Sequence, residues 1–125
     1  MRIYVAGKYA EKEEARRVME LIRQRGHTIS YDWTQHKEDR TPENLLKAAD
    51  LDVQGVVTAD LVFMLFTDPK YAYRGTFTEL GAALATKKRI CIVCPHEQAS
   101  CRENCFFYAS GIEHYATLQE ALDRL

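Results

Sequence analysis

The sequence predicts a single α/β domain over residues 1–125, doubly wound in the flavodoxin or Rossmann-like manner, with a parallel five-stranded sheet and helices on both faces. Three observations predict it. Short apolar stretches with strand patterning alternate along the chain with longer stretches of helical period, the signature of a parallel sheet crossed by helices. Residues 60–66 are almost entirely apolar, as a central strand covered on both faces has to be. The length, 125 residues, suits one hydrophobic core.

In chain order, residues 3–6 form a short buried strand that Gly7 ends. Residues 10–25 form a helix, with Ala15, Val18, Met19 and Ile22 on one face and Gly26 as its stop. Residues 27–33 alternate Ile29, Tyr31 and Trp33 and read as a second strand. After a polar loop over 35–40, Thr41 and Pro42 start a helix that runs to about Thr58. The third strand, 60–66, leads into a long loop over 67–75 and a helix over 77–86. Residues 89–94 form a fourth strand stopped by Pro95, and 112–116 a fifth strand at the edge. Thr117-Leu118-Gln119-Glu120 is a capping box that opens a last helix. In such a sheet ligands bind beyond the carboxyl ends of the strands, where the strand order reverses. The stretches arriving at that rim are Gly7-Lys8-Tyr9, residues 67–76, and Pro95 onward.

A net charge of −1 supplies no overall field to recruit a nucleic-acid polymer or an anionic membrane. No apolar run approaches the ~20 residues of a membrane span. The N-terminus enters a strand at once, without a signal peptide, so a cytoplasmic location is expected. There the four cysteines are expected as thiols. Cys94, His96, Cys101 and Cys105 have a spacing that matches no common zinc finger, and Cys91 and Cys94 fall in a strand pattern; no metal and no cofactor are expected.

The chain is organised around Tyr71 to Thr86. Arg74-Gly75 reads as a flexible cationic turn, Thr76 as the N-cap of the following helix, and Glu79 as the only charge on that helix, in its first turn. Two readings of Glu79 stand: a capping box with Thr76, or a nucleophile or base facing a glycine loop. A second carboxylate, Asp52, falls on or at the margin of the apolar face shared by Leu45, Ala48, Ala49, Val53 and Val56. A buried aspartate needs partners or a role, whereas at the margin it simply reaches water. Two carboxylates converging on one cleft divide the labour of glycosidic chemistry: one attacks the anomeric carbon, the other protonates a leaving group. Phe106-Phe107-Tyr108 suits a subunit interface, a pocket wall or the core equally.

Three motifs in order carry a resemblance: Ile3-Tyr4-Val5-Ala6-Gly7; Ala49-Asp50-Leu51-Asp52 with Asp60 eight residues past Asp52; and Gly75 followed by Glu79-Leu80-Gly81-x-Ala83 and Lys88-Arg89-Ile90. Together they resemble the nucleoside 2-deoxyribosyltransferase family, which includes hydrolases of deoxynucleoside 5′-monophosphates, over most of the chain from Ile3 to Leu122. The resemblance implies that Glu79 attacks C1′ and holds the sugar covalently, that Asp52 contacts the sugar and assists the base, and that Tyr4 and Gly7 line the pocket. It implies a homodimer or an assembly of dimers with shared sites, Asn104 resembling the asparagine donated across the dimer to the sugar's 5′ side. The monophosphate hydrolases place a phosphate-binding serine, and the transferases tend to place an acidic residue, where this chain has Tyr73. Lys8, Arg74 and Thr76 are alternative phosphate holders, and Tyr9 and Gly75 complete the expected substrate-binding set.

The function expected is transfer of deoxyribose from a 2′-deoxynucleoside to another base through a glutamyl-sugar intermediate. The alternatives are hydrolysis of (deoxy)nucleoside 5′-monophosphates to free base and, from another class, a nucleotide-binding module without catalysis.

Overall fold

A computed structural model of the chain describes residues 1–36 and 39–125, so the middle of the loop expected over 35–40 lies outside the described residues. The elements run β1 (Arg2–Ala6), α1 (Lys12–Gln24), β2 (Thr28–Ile29), α2 (Pro42–Val57), β3 (Leu61–Leu65), α3 (Arg74–Ala85), β4 (Arg89–Val93), β5 (Glu113–Tyr115) and α4 (Leu118–Leu122), with four 3₁₀ turns between them. The strands make one sheet in the order β2-β1-β3-β4-β5. Every pair is parallel. This is the predicted fold class.

The order reverses between β1 and β3, so chain crossing from β1 to β2 moves one way and later crossings move the other. Right-handed crossovers then place α1 on one face of the sheet and α2 and α3 on the other. β3 is buried at all five positions, as its apolar run requires. α1 presents Ala15, Val18, Met19 and Ile22 to the sheet, the predicted set.

Three local expectations are corrected. The second strand is two residues long rather than reaching Trp33. The alternation there is genuine, but Asp32 accepts a hydrogen bond from the Thr34 amide and starts a 3₁₀ turn over Trp33–Gln35. The Trp33 indole donates to the Val5 carbonyl at 2.6 Å instead of standing on a strand.

The second correction concerns α3. It begins at Arg74, so Arg74-Gly75 is the first helical turn and not a flexible loop. Its N-cap is Tyr73, held in the left-handed region at φ 53°. Tyr73 is tied there by ring packing on Phe66 at 4.9 Å, and its hydroxyl accepts the Asp68 amide proton at 2.8 Å. Thr76 is therefore a buried third residue, no Thr76–Glu79 capping box forms, and Glu79 stands in the second turn.

The third concerns α2. Of its predicted apolar face only Val56 is fully buried, while Leu45 and Val53 are 44% and 46% exposed. The inward line runs instead through Ala48, Asp52, Gly55 and Val56. Leu46, Ala49, Val53 and Val57 point outward.

Candidate active site

The point where strand order reverses opens into a cleft of about 500 Å³. β1 ends there and passes into Gly7-Lys8-Tyr9; β3 ends beside it and passes through residues 67–73 into α3. Tyr4, Gly7, Lys8, Tyr9, Asp52, Gly75, Thr76 and Glu79 all line this one cleft. Arg74 and Asn104 do not line it. Arg74 is exposed on the first turn of α3. The Asn104 side chain accepts the Phe106 amide proton at 2.9 Å and caps the 3₁₀ turn Cys105–Tyr108. The stretch from Pro95 onward, expected at the rim, contributes no lining residue; it touches the rim indirectly, through the Ser100 amide donating to the Pro69 carbonyl at 2.8 Å.

Three elements bring the two acids together. Tyr4 projects from the middle of β1 onto the face covered by α2 and α3, and is itself fully buried. Its hydroxyl donates a short hydrogen bond to Glu79 Oε2. Asp52 comes from the inward line of α2, with one carboxyl oxygen, Oδ1, buried and without a hydrogen-bond partner among the described residues. His36 Nε2 stands 3.7 Å from that oxygen and is engaged at 2.6 Å by the Tyr31 hydroxyl.

Electrostatics follow from this geometry. Burial raises the Glu79 carboxyl to about 8; the Tyr4 hydrogen bond opposes the rise and the charge of Asp52 adds to it. Burial raises Asp52 to about 6, again opposed by Tyr4. Burial, with both carboxylates beside it, drives the Tyr4 phenol far above its ordinary range, so it stays a donor. With Glu79 the higher of the two, a proton retained in the cleft near neutral pH favours Glu79, and the charge of Asp52 is the smallest of the influences on it. Such a pair can offer both a nucleophilic oxygen and an acidic proton, provided the proton sits on the acid that is not attacking.

Around the acids the walls are mixed. Tyr9 and Trp33 meet with ring centroids 6.4 Å apart, and Leu45, Ala48 and Leu51 of α2 form an apolar side. Lys8 is held by Asp68 at 2.5 Å and lies 4.7 Å over the Tyr71 ring. The Lys8 ammonium holds the Asp68 carboxyl below its usual range. Arg40 and Lys47 also line the cleft.

The lining residues not singled out from sequence are His36, Asp39, Arg40, Asn44 and Lys47. Most flank the start of α2, in a segment whose polarity reads as ordinary loop. Only the Thr41-Pro42 helix start marked the neighbourhood. Among the described residues no group of three or more His, Cys, Asp or Glu side chains is placed to hold a metal. Among them also, no helix is long and apolar enough to cross a membrane.

No protein with a curated description matches the chain. In structure it is similar to a 2-deoxyribosyltransferase from the psychrotolerant bacterium Bacillus psychrosaccharolyticus, with a TM-score of 0.73 and 18% identity, covering 98% of this chain and 91% of that one. It is also similar to a CMP N-glycosidase from Clostridium botulinum, with a TM-score of 0.66 and 20% identity over 99% of this chain and 97% of that one. At these identities the likeness establishes the fold. The sequence model of the nucleoside 2-deoxyribosyltransferase family matches residues 3–118, nearly the whole chain. By that match the chain belongs to the nucleoside 2-deoxyribosyltransferase family, and the protein is an enzyme.

Proposed function

We propose that the protein cleaves the N-glycosidic bond of 2′-deoxynucleosides and passes the deoxyribose to another base through a sugar ester on Glu79. The observation that carries this reading is the convergence of Glu79 and Asp52 on the Tyr4 hydroxyl at the floor of one cleft. On substrate binding the proton passes from Glu79 to Asp52, leaving Glu79 as a carboxylate. Glu79 attacks C1′, the bond from C1′ to the base nitrogen breaks, and the Asp52 proton goes to the departing base. A second base then attacks C1′ of the ester, Glu79 leaves as carboxylate, and the incoming base returns its proton to Asp52. A sugar lacking the 2′-hydroxyl forms an oxocarbenium-like transition state readily, so one carboxylate suffices to capture it. The unpartnered Asp52 Oδ1 is the polar atom that a base would satisfy. Tyr9 and Trp33 offer a wall for stacking. No cofactor enters any step.

A second reading, hydrolysis of a (deoxy)nucleoside 5′-monophosphate to free base, is favoured by Lys8, Arg40 and Lys47 lining the same cleft and by the likeness to a CMP N-glycosidase. Incubation with a deoxynucleoside and a different free base, and in parallel with deoxy- and ribonucleoside monophosphates, separates the two. Formation of the mixed nucleoside supports transfer, free sugar or sugar phosphate supports hydrolysis, and ligand binding without base release contradicts both.

A homodimer with shared sites belongs to the same proposal. Leu46, Val53 and Val57 are 64%, 46% and 40% exposed on the outward stripe of α2, whose inward side is a wall of the cleft. A second copy seated on this stripe lies beside the cleft, and Asn104, outside its own cleft, is then available to a neighbour's. Leu46→Glu with Val53→Glu is expected to convert a dimer to a monomer in light scattering; an unchanged mass contradicts the assignment of this face. A cytoplasmic setting, with reduced thiols, completes the reading.

A further inference from the structure

Gly55 sits in the last turn of α2, where glycine is less favourable than alanine by up to roughly 1 kcal/mol. Its backbone does not call for it, since Gly55 is not among the residues with positive φ and the helix is closed by Thr58, not by the glycine. Its surroundings do. A methyl group built on Gly55 would stand 2.8 Å from Cδ2 and Cε2 of Tyr4 and 2.8 Å from Cβ of Tyr31, inside the closest approach that carbon atoms tolerate. The Gly55 carbonyl accepts the Ser30 hydroxyl at 2.7 Å, which pins the segment bearing Tyr31 against the same turn of α2. Gly55 is therefore a notch one turn beyond Asp52, and two aromatic residues are seated in it.

Both residues bear on the acids, Tyr4 on Glu79 and Asp52 and Tyr31 through His36. Tyr4 donates to Glu79. Tyr31 holds His36, whose Nε2 lies 3.7 Å from Asp52 Oδ1. We propose that Gly55 is a positioning residue for the reaction: the absence of its side chain sets the Tyr4 hydroxyl on Glu79 and the Tyr31–His36 pair over Asp52. It touches neither substrate nor reacting atoms and acts through Tyr4 and Tyr31. The inference rests on the functional reading above.

The test is a cycle of Gly55→Ala, Tyr4→Phe and the double variant, read by kcat and KM for base release and by urea unfolding across pH. Gly55→Ala is expected to lower kcat on the order of a hundredfold, as an ångström-scale misplacement of a reacting group does, with KM little changed. In the Tyr4→Phe background, where the hydroxyl is already gone, the same substitution is expected to cost only about tenfold, the remainder acting through Tyr31. Equal losses in both backgrounds would overturn the proposal, because a purely structural defect is indifferent to the hydroxyl.

The unfolding arm is independent of turnover. The titratable groups facing Glu79 are Tyr4 from β1 and Asp52 from α2. Moving Tyr4 off Glu79 alters the pH dependence of stability that Glu79→Gln removes; an unaltered dependence in Gly55→Ala counts against the proposal even if no nucleoside is ever turned over. Should wild type release no base while this dependence shifts, the functional reading fails and the positioning contact stands. Should Gly55→Ala fail to fold, Tyr31→Phe, which leaves the notch intact but removes the hydroxyl that engages His36, is expected to lower kcat with KM little changed; an unchanged kcat overturns the proposal.

Discussion

Two sets of carboxylates in this molecule behave oppositely, and the difference lies in what faces them. At the β4–β5 edge, Glu113 meets Arg89 through two hydrogen bonds of 2.7 and 2.9 Å, and the guanidinium holds its carboxyl below the usual range. In the cleft, Glu79 and Asp52 face a phenol, with no Lys or Arg bonded to either among the described residues and His36 3.7 Å from Asp52, and burial drives both upward. The first arrangement suits a structural pair. The second holds two raised carboxyls, one with an oxygen unpartnered among the described residues, which costs stability and suits chemistry.

Breaking the cleft pair gives the largest effects. Glu79→Ala is expected to reduce base release by about four orders of magnitude or more while deoxynucleoside binding changes only a few-fold, checked by steady-state kinetics and calorimetry. Asp52→Asn is expected to cost roughly 10²–10³ in kcat/KM, the range of a lost general acid. In the wild type, kcat/KM should form a bell with limbs near 6 and 8, since below the first both acids are protonated and above the second neither is. Asp52→Asn leaves one titrating acid, so the alkaline limb should vanish from its residual activity.

Tyr4→Phe sharpens the contrast at a lower cost, about tenfold in kcat. The hydroxyl bond lowers both acids, so its loss should move both limbs of the bell to higher pH. Stability separates the two regions without any substrate. Glu79 is raised from 4.5 to about 8 in the folded chain, so its contribution is fully present below pH 4.5 and is lost as pH rises toward 8. Glu79→Gln should flatten that fall in urea melts. Glu113, held low, contributes above its unfolded value and loses that contribution as pH falls. Because Arg89 and Glu113 are each about a third exposed, Glu113→Gln should cost only about 0.5 kcal/mol and leave base release unchanged.

Much of this fold was legible because the strands and α1 follow single periodicities with nothing competing. The errors arose where a local device outbid the pattern. The alternation of Ile29, Tyr31 and Trp33 was overridden by the Asp32 cap and the Trp33 indole bond to Val5. The cap at Thr76 was overridden by Tyr73, whose left-handed backbone is held by contacts with Phe66 and Asp68 that no local window contains. Leu45, Ala49 and Val53 fit a buried face by spacing, yet α2 turns that stripe largely outward, a choice made by packing on β1 and α3. Glu79 and Asp52 stood out as charges in apolar company, and that oddness survives each of these corrections. His36, Arg40 and Lys47 carried no such signal, being polar residues in or beside a polar segment. Gly55 carried a weak one, a glycine inside a helix, whose meaning needed the Tyr4 ring beside it.

The most direct test is to quench the enzyme with acid during turnover of a 2′-deoxynucleoside and map the digest by mass spectrometry. A deoxyribosyl ester on the peptide carrying Glu79, absent from Glu79→Gln, is the expected result. Turnover at the wild-type rate with that peptide unmodified, or with the sugar on another side chain, would contradict the assignment of Glu79 as the nucleophile.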